Sequence, residues 1–348
     1  MQYQYDDLAT ELYQGDPPPF IWKAVEHLYH SSFCSESHLK ATKSVNQHTH
    51  SWVSRKAGVI DAVLLFQIKN HCAVVLNELI ALSNAHINCF SVFLFKKYPA
   101  IKIIQFKALY QQEVDFILPH QEYVFSEDFI LALPNSTECW LHSLSKKMRS
   151  SLRYQITRCQ QLGKKLSFRC IQRHEITPLL IKKILLLSRL RMQHKGKAFG
   201  VGERDEQCLI LEMCERGVVY VLELEEKIIA GLLCTYCDKD LFFHIIAHDS
   251  AYDSLRAGRL CCYHSIVSAI ENKYERLHFL WGRYQYKLQF GAKEKKLIKL
   301  TIFRKSFYKF RFPACYGQQF LLQIKLRLKS IKLSFLRSKF LVMTKHAP

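Results

Sequence analysis

Apolar residues recur in two strand-and-helix series along the chain. In the first, Trp52 to Arg55, Val59 to Ile68 and Cys72 to Ile80 are rich in β-branched and aromatic residues and are parted by Lys-Ala-Gly and Lys-Asn-His turns. That pattern predicts a meander of consecutive hairpins. A helix is predicted from about Asn84 to Tyr98, Pro99 ends it, and IKIIQF starts another strand. The same order returns later as VVYVLEL, IIAGLLCTY, LFFHIIAH, a helix from Cys261 to Asn272, and LHFLW. Val59 aligns with Ile228 and Ala73 with Phe242, both at an offset of 169 residues, and the offset grows by about six after the third strand. The chain reads as a duplication whose second copy has the longer loop, DSAYDSLRAG against SNAHIN.

Around the repeats, residues 1–19 are acidic and then proline-rich, which predicts an irregular arm. Phe20 to about Leu39 has the spacing of a partly buried helix. Between the copies, Phe129 to Leu133 reads as a short strand and LHSLSKKMRSSLRYQITRCQQLG as one helix. That helix carries Leu144, Met148, Leu152, Ile156 and Cys159 in one stripe, Ser143 or Ser145 as its cap, and Gly163 at its close. LSFRCI is a strand, and Pro178 to Met192 is an apolar helix ending near Arg189 and Arg191. The C-terminal stretch keeps helical spacing at Leu321, Ile324, Leu328, Ile331 and Phe335, although IKLRLK alternates as a strand would; the reading adopted is a basic amphipathic helix.

Composition narrows the class. With 348 residues, 49% hydrophobic and 23% charged, the chain is globular and long enough for about two domains. No apolar run reaches the length of a membrane span, and the first twenty residues lack the features of a signal peptide, which predicts a cytoplasmic protein. The 13 cysteines are scattered through apolar segments, as in a reducing compartment. Cys234 and Cys237 have metal-ligand spacing but lie three apart on a strand, so no metal site is expected. A net charge of +20 predicts an anionic partner, and it is uneven: from Arg304 onward there are eleven Lys or Arg and no acid. That tail points to an anionic membrane surface, at the inner face of the membrane, or to tRNA.

Within LFFHIIAHDSAYDSLRAGRL, a strand, a polar loop and a helix start bring Gly258 to a helix N-terminus. Backbone N–H groups and the helix dipole there suit a phosphate or pyrophosphate.

The segment FILALPNSTECWLHSLSKKMRSSLRYQITRCQQLGKKLSF resembles the linker of the CelD/BcsL-like branch of the GNAT acyltransferase superfamily, related to the FemAB-type peptidyltransferases. LSRLRMQHKG, GVVYVLELEEKIIAGLLCTY, the phosphate-type turn and FLWGRYQYKLQFGAKEKKL follow in the same order, so the resemblance covers about Phe129 to Phe303. It implies an α/β (α+β, mixed-sheet) fold of tandem duplicated GNAT-like domains with a basic C-terminal tail. The expected divisions are an arm at 1–19, a degenerate half at 20–135, a basic linker helix at 136–165, a second half with the acyl-CoA site at 166–303, and the tail at 304–348. Acyl-CoA, acetyl-CoA in the leading reading, is implied as co-substrate, with no permanently bound cofactor. Its pyrophosphate maps to Arg256, Ala257, Gly258, Arg259 and Leu260, although Leu260 stands where the family carries a second small residue.

Acyl transfer needs a base, an oxyanion donor and an acid for the leaving thiolate. The resemblance places the oxyanion donor at the backbone of Ile245 or Ile246. His248 is the leading base; His244, four residues earlier and expected on the same strand face, ranks below it. Tyr286 and Lys287 match the family's Tyr-Lys pair, Tyr286 as acid and Lys287 or Arg283 as holder of an anionic acceptor. Arg149 and Arg153, on the basic helix, are further substrate-binding candidates. The His248-x4-Asp253 spacing is discounted as chance. Three function classes follow: acyl transfer from acyl-CoA to an amine or hydroxyl of a small molecule, sugar or cell-envelope precursor; FemAB-like aminoacyl transfer from charged tRNA; and a non-catalytic module binding membrane or nucleic acid through its tail.

Overall fold

A computed structural model of the chain describes residues 8–113, 115–161 and 166–311. Their strands are β1 (Leu8–Gln14), β2 (Thr49–Lys56), β3 (Val59–Lys69), β4 (Cys72–Ile80), β5 (Ile103–Tyr110), β6 (His120–Ala132), β7 (Leu166–Gln172), β8 (Gly217–Leu224), β9 (Lys227–Cys237), β10 (Asp240–His248), β11 (Arg276–His278) and β12 (Lys293–Phe303). They form one twelve-stranded sheet in the order β1-β2-β3-β4-β5-β12-β6-β11-β10-β9-β8-β7. The duplication is visible in that order, since β1 to β5 from one edge and β7 to β11 from the other converge on the central pair β12 and β6. In each half the first four strands are antiparallel and the fourth meets the fifth in parallel.

The helices of the described residues are α1 (Pro19–Tyr29), α2 (Glu36–Ala41), α3 (Asn84–Lys97), α4 (Thr137–Ser143), α5 (Lys146–Gln161), α6 (Pro178–His194), α7 (Glu203–Arg216), α8 (Ala257–Glu271), α9 (Gln285–Gln289) and α10 (Tyr308–Arg311). In the second half α5 and α8 pack on one face of the sheet, with Leu152, Leu260 and Ile266 against Tyr220, Leu232 and Phe243. On the opposite face Ile181, Ile184 and Met213, from α6 and α7, pack on Val219, Leu233 and Ala247.

Several expectations are corrected. Residues Leu8–Gln14 of the supposed irregular arm pair with β2 along seven residues and form the sheet edge. The single helix expected from Phe20 to Leu39 breaks at His30, which adopts a left-handed conformation, and resumes as a 3-10 turn and α2. The linker helix is two helices: Leu144 is extended and ends α4, and the Ser145 hydroxyl accepts from the Met148 N–H to start α5. Phe129 to Ala132 of the expected short strand are the end of the thirteen-residue β6, and Leu133 lies just beyond it. The expected tail helix, Leu321 to Phe335, lies outside the described residues.

The strands at the centre interleave the two halves. β6 precedes the second repeat in sequence yet pairs with β11, while β12 follows that repeat yet pairs with β5. Buried at this seam, His278 Nδ1 lies 2.7 Å from Asp128 and Nε2 lies 3.3 Å from Asp240, which also binds Arg276 at 2.8 Å. Burial pulls the His278 pKa down, but hydrogen bonds to the two carboxylates outweigh it and the net direction is up. Away from the sheet, Arg216 pairs with Glu26 at 2.8 Å and His38 with Glu212 at 3.0 Å, tying α7 to the first half.

Candidate functional site

β10 and β11 run parallel for only three residue pairs, Asp240–Arg276 to Phe242–His278. The next carbonyls after β11, those of Phe279, Leu280 and Trp281, accept from Lys287 Nζ at 2.9, 2.9 and 2.8 Å. Leu280 is left-handed, at φ 55°, which turns the chain out of the strand. The second part of β10 therefore has a ladder partner only in β9, and a cleft opens where β11 departs. Burial lowers the Lys287 pKa to about 8, opposed by the nearby charges of Asp128 and Glu127. Lys287 thus holds the cleft's wall; it does not line the cavity within.

That cavity has a volume of about 340 Å³. Ile246 and His248 of β10, Arg256 before α8, Gly258 and Arg259 within it, and Tyr286 of α9 all line it, as the sequence grouped them. Arg191, Asp253, Cys262 and Phe290 line it too. Arg191 comes from α6, on the sheet face opposite α8, so the cavity spans the opening between β10 and the chain after β11.

The start of α8 is unusual. Arg256 stands at its N-cap with φ 51° and ψ 44°, a left-handed conformation that a non-glycine residue adopts at a cost, and no side chain caps the helix. The first amides of a helix, here those of Ala257 and Gly258, have no intrahelical acceptor and carry the positive end of its dipole. A Cβ built on Gly258 would stand 2.7 Å from His248 Nδ1, so only glycine lets α8 approach the imidazole this closely. Arg259 reaches across the cavity to Gln289 Oε1 at 2.5 Å and to Ser151 Oγ at 3.3 Å. Leu260 differs from its companions: its side chain is buried in the core, and only its backbone belongs to the helix start.

His248 sits between opposite charges. Its Nε2 is 3.0 Å from Asp253 Oδ1 and its Nδ1 is 3.2 Å from Arg191 Nη1. A guanidinium only donates, so Nδ1 is the acceptor and Nε2 carries the proton toward Asp253. Burial lowers the His248 pKa, the Arg191 charge adds to that, and Asp253 opposes it. The imidazole is neutral and its free lone pair is held by Arg191. Burial also raises the Tyr286 pKa, keeping that phenol a proton donor, and pushes the Cys262 thiol up to about 12.

His244 does not share the face of His248. Phe243 pairs with Cys234 and Ile245 with Leu233, so His244 is the extra residue of a β-bulge. Its ring lies on the α7 side, 2.7 Å from Thr235 Oγ1 and 5.7 Å between centroids from Phe33. Ile245, just after the bulge, packs on the α6 face. The remaining candidates lie apart. Arg149 donates to the carbonyls of His142 and Leu144 at 2.9 and 2.5 Å, clamping the α4–α5 joint. Arg153 is exposed on α5, and Arg283 pairs with Glu294 at 2.9 Å. The sequence reading overlooked Arg191, which it recorded only as a helix end, and set aside Asp253, whose spacing from His248 proves to be a contact.

The acetyltransferase (GNAT) domain family matches residues 146–288, the stretch that builds this cavity. The chain carries a GNAT domain. The solved structure of FemX shares its fold at a TM-score of 0.62 and 10% identity, over 86% of this chain and 99% of that one. L-PGS from Bacillus licheniformis does so at 0.52 and 13%, over 84% and 94% of the two chains. A protein from Agrobacterium fabrum, described as the C-terminal domain of a lysylphosphatidylglycerol synthetase, does so at 0.51 and 13%, over 81% and 90%. Each likeness extends beyond the GNAT domain into the first half. No curated protein matches the chain in sequence.

Proposed function

We propose that the protein is an acyltransferase whose donor, acyl-CoA in the leading reading, rests its pyrophosphate on the start of α8. The observation that carries this is the uncapped helix N-terminus facing an opened sheet, with Arg191, Arg256 and Arg259 around one cavity. Three guanidiniums and two free amides attract an anion strongly, whereas Asp253 is the only carboxylate among the described residues that line the cavity.

In this reading the donor's phosphate draws Arg191 away from His248 and frees the Nδ1 lone pair. His248, oriented by Asp253, then takes a proton from the acceptor amine or hydroxyl as its nitrogen or oxygen attacks the thioester carbonyl. The backbone N–H of Ile245 or Ile246 meets the oxyanion, in the part of β10 that has lost one ladder partner. The carbon–sulfur bond breaks, Tyr286 protonates the departing thiolate, and solvent returns the proton from His248 to Tyr286.

A second reading, aminoacyl transfer from charged tRNA, is favoured by the FemX-like arrangement of both halves and by the net charge of +20. The basic stretch from residue 304 would then meet RNA phosphate; in the first reading it would rest on an anionic membrane. A thermal-shift panel separates the two. Acetyl-CoA or a longer acyl-CoA should raise the melting temperature. Absence of a shift with every acyl-CoA sinks the leading reading, and protection by aminoacyl-tRNA alone would establish the second.

A further inference from the structure

Where β12 ends, the chain that follows it is tied to the C-terminus of α3 in the first half. Arg304 makes the tie. Its backbone N–H donates to the Lys102 carbonyl at 3.0 Å, and its guanidinium donates to the carbonyls of Phe95, Tyr98 and Ile101. The Lys102 ammonium lies 5.8 Å from the centroid of the Tyr308 ring, which fixes the start of α10 against the same place. Lys96 and Lys97 of α3, Lys102, and then Lys305, Lys309 and Arg311 are thereby gathered at one end of the sheet. Residues 95–102 and 304–311 contain no Asp or Glu. The lysines that pair with carboxylates among the described residues lie elsewhere, at 40, 107, 227 and 239.

The same end carries apolar residues in water. Phe310 is 83% exposed and Phe307 59% exposed, and the Phe310 N–H donates to the Phe307 carbonyl at 3.1 Å, so both stand on one helical turn. Val92, four residues before Lys96 and hence on the same side of α3, is 46% exposed. Uncompensated like charges repel, and exposed phenylalanines gain nothing from water. An anionic surface with an apolar interior relieves both costs at once. A nucleic acid fits less well. Its recognition draws on arginine forks and on ring platforms spread along a groove, whereas five of these six cations are lysines and Val92 has no ring to offer a base.

We propose that this end of the protein docks on an anionic phospholipid bilayer, with Phe307 and Phe310 entering between the headgroups and the surrounding cations resting on lipid phosphate. The surface is built by the folded body, and the cations beyond residue 311 add to its field. None of its residues lines the donor cavity, so the inference holds whichever acyl donor is used. It gives the first half a task of its own, that of holding the enzyme at a lipid surface while the second half carries the donor site.

The test uses the full chain and sedimentation with vesicles of phosphatidylcholine alone or mixed equally with phosphatidylglycerol. The wild type should partition onto the mixed vesicles and not onto phosphatidylcholine alone. The Phe307→Ser, Phe310→Ser double variant should bind the mixed vesicles at least about tenfold more weakly, because it loses the apolar anchor. Lys96→Gln with Lys97→Gln should weaken binding about twentyfold at low salt, about fivefold for each charge. Val59→Ser, which changes a residue 69% exposed in the first half at the β2–β3 turn, should bind as the wild type does. In Phe310→Trp the added fluorescence should shift to the blue on mixed vesicles. Wild-type binding by the phenylalanine and lysine variants would assign the membrane contact to charge beyond residue 311 and overturn the inference. So would the absence of a blue shift, or a loss of tRNA binding in the phenylalanine variant while vesicle binding is kept.

Discussion

The two halves of this chain repeat one arrangement of strands and helices, and they differ most where the fourth strand meets the fifth. In the first half β4 and β5 keep meeting from Cys72–Ile103 to Ile80–Leu109, with two irregularities that leave Leu76, Asn77 and Leu79 out of the ladder. The following helix, α3, is closed by Ser83, whose side chain accepts from the His86 N–H. In the second half β10 and β11 part after three pairs, and α8 starts without a side-chain cap. Strands that keep pairing to their ends, even across irregularities, offer less free backbone to a ligand than strands that part, and a capped helix offers fewer free amides. Duplication supplied two scaffolds, and local chemistry opened only one: Lys287 takes the carbonyls that would continue the β11 ladder, and Gly258 lets α8 close in on His248.

The largest effect should come from substituting the second residue of each helix. Gly258→Glu places a side chain against His248 and a negative charge in the anion site, so turnover should fall at least about a thousandfold and acyl-CoA binding should vanish. Ala85→Glu, at the same position of α3 and exposed, should leave both unchanged. Steady-state kinetics on the pair checks this, and equal losses would break the comparison.

Next come the histidine–carboxylate pairs that each half possesses. His248→Gln should lower kcat by about a hundredfold to ten-thousandfold, the span of a lost general base. His86→Gln, which removes the 3.0 Å contact with Asp61 in the first half, should leave kcat unaltered. On the proposed mechanism the neutral His248 is the active form, and its lowered pKa should put the acid limb of the pH–rate profile below the ordinary histidine value of about 6.5. Arg191→Gln removes the second cause of that shift, so the limb should move to higher pH.

At the seam shared by the halves, Asp128→Asn should cost about 3 kcal/mol of stability by breaking a buried pair. Denaturant melts also test the sign of its pH dependence. His278 has a folded pKa above its unfolded value, so its contribution is fully present below about pH 6.5 and is lost as pH rises through the folded pKa. The wild type should lose stability over that range and the variant should lose less.

Much of this was legible in the sequence. The offset of 169 residues disclosed the repeat, and the extra residues after LFFHIIAH marked the half with the open helix start. The grouping of Ile246, His248, Arg256, Gly258, Arg259 and Tyr286 came from motif order, and all six line one cavity. What stayed hidden depends on contacts made across the fold. The bulge at His244 breaks the period-two rule, so residues four apart face opposite ways. Lys287 looks like any charged residue beside aromatic ones until three carbonyls are seen to converge on it. Arg191 ends an apolar helix far from His248 in sequence, and only packing on the opposite sheet face brings them together. β1 escaped notice because it is an edge strand, secured by β2 alone and with weak alternation of its own.

Hydrogen exchange with and without saturating acetyl-CoA tests the central claim most directly, because it reports on both helix starts in one experiment. The donor should slow exchange in peptides covering residues 256–262 at the start of α8 and leave residues 83–90 at the start of α3 unchanged. Protection confined to the first half, or none at either helix under saturation, would contradict the assignment of the donor site to the second.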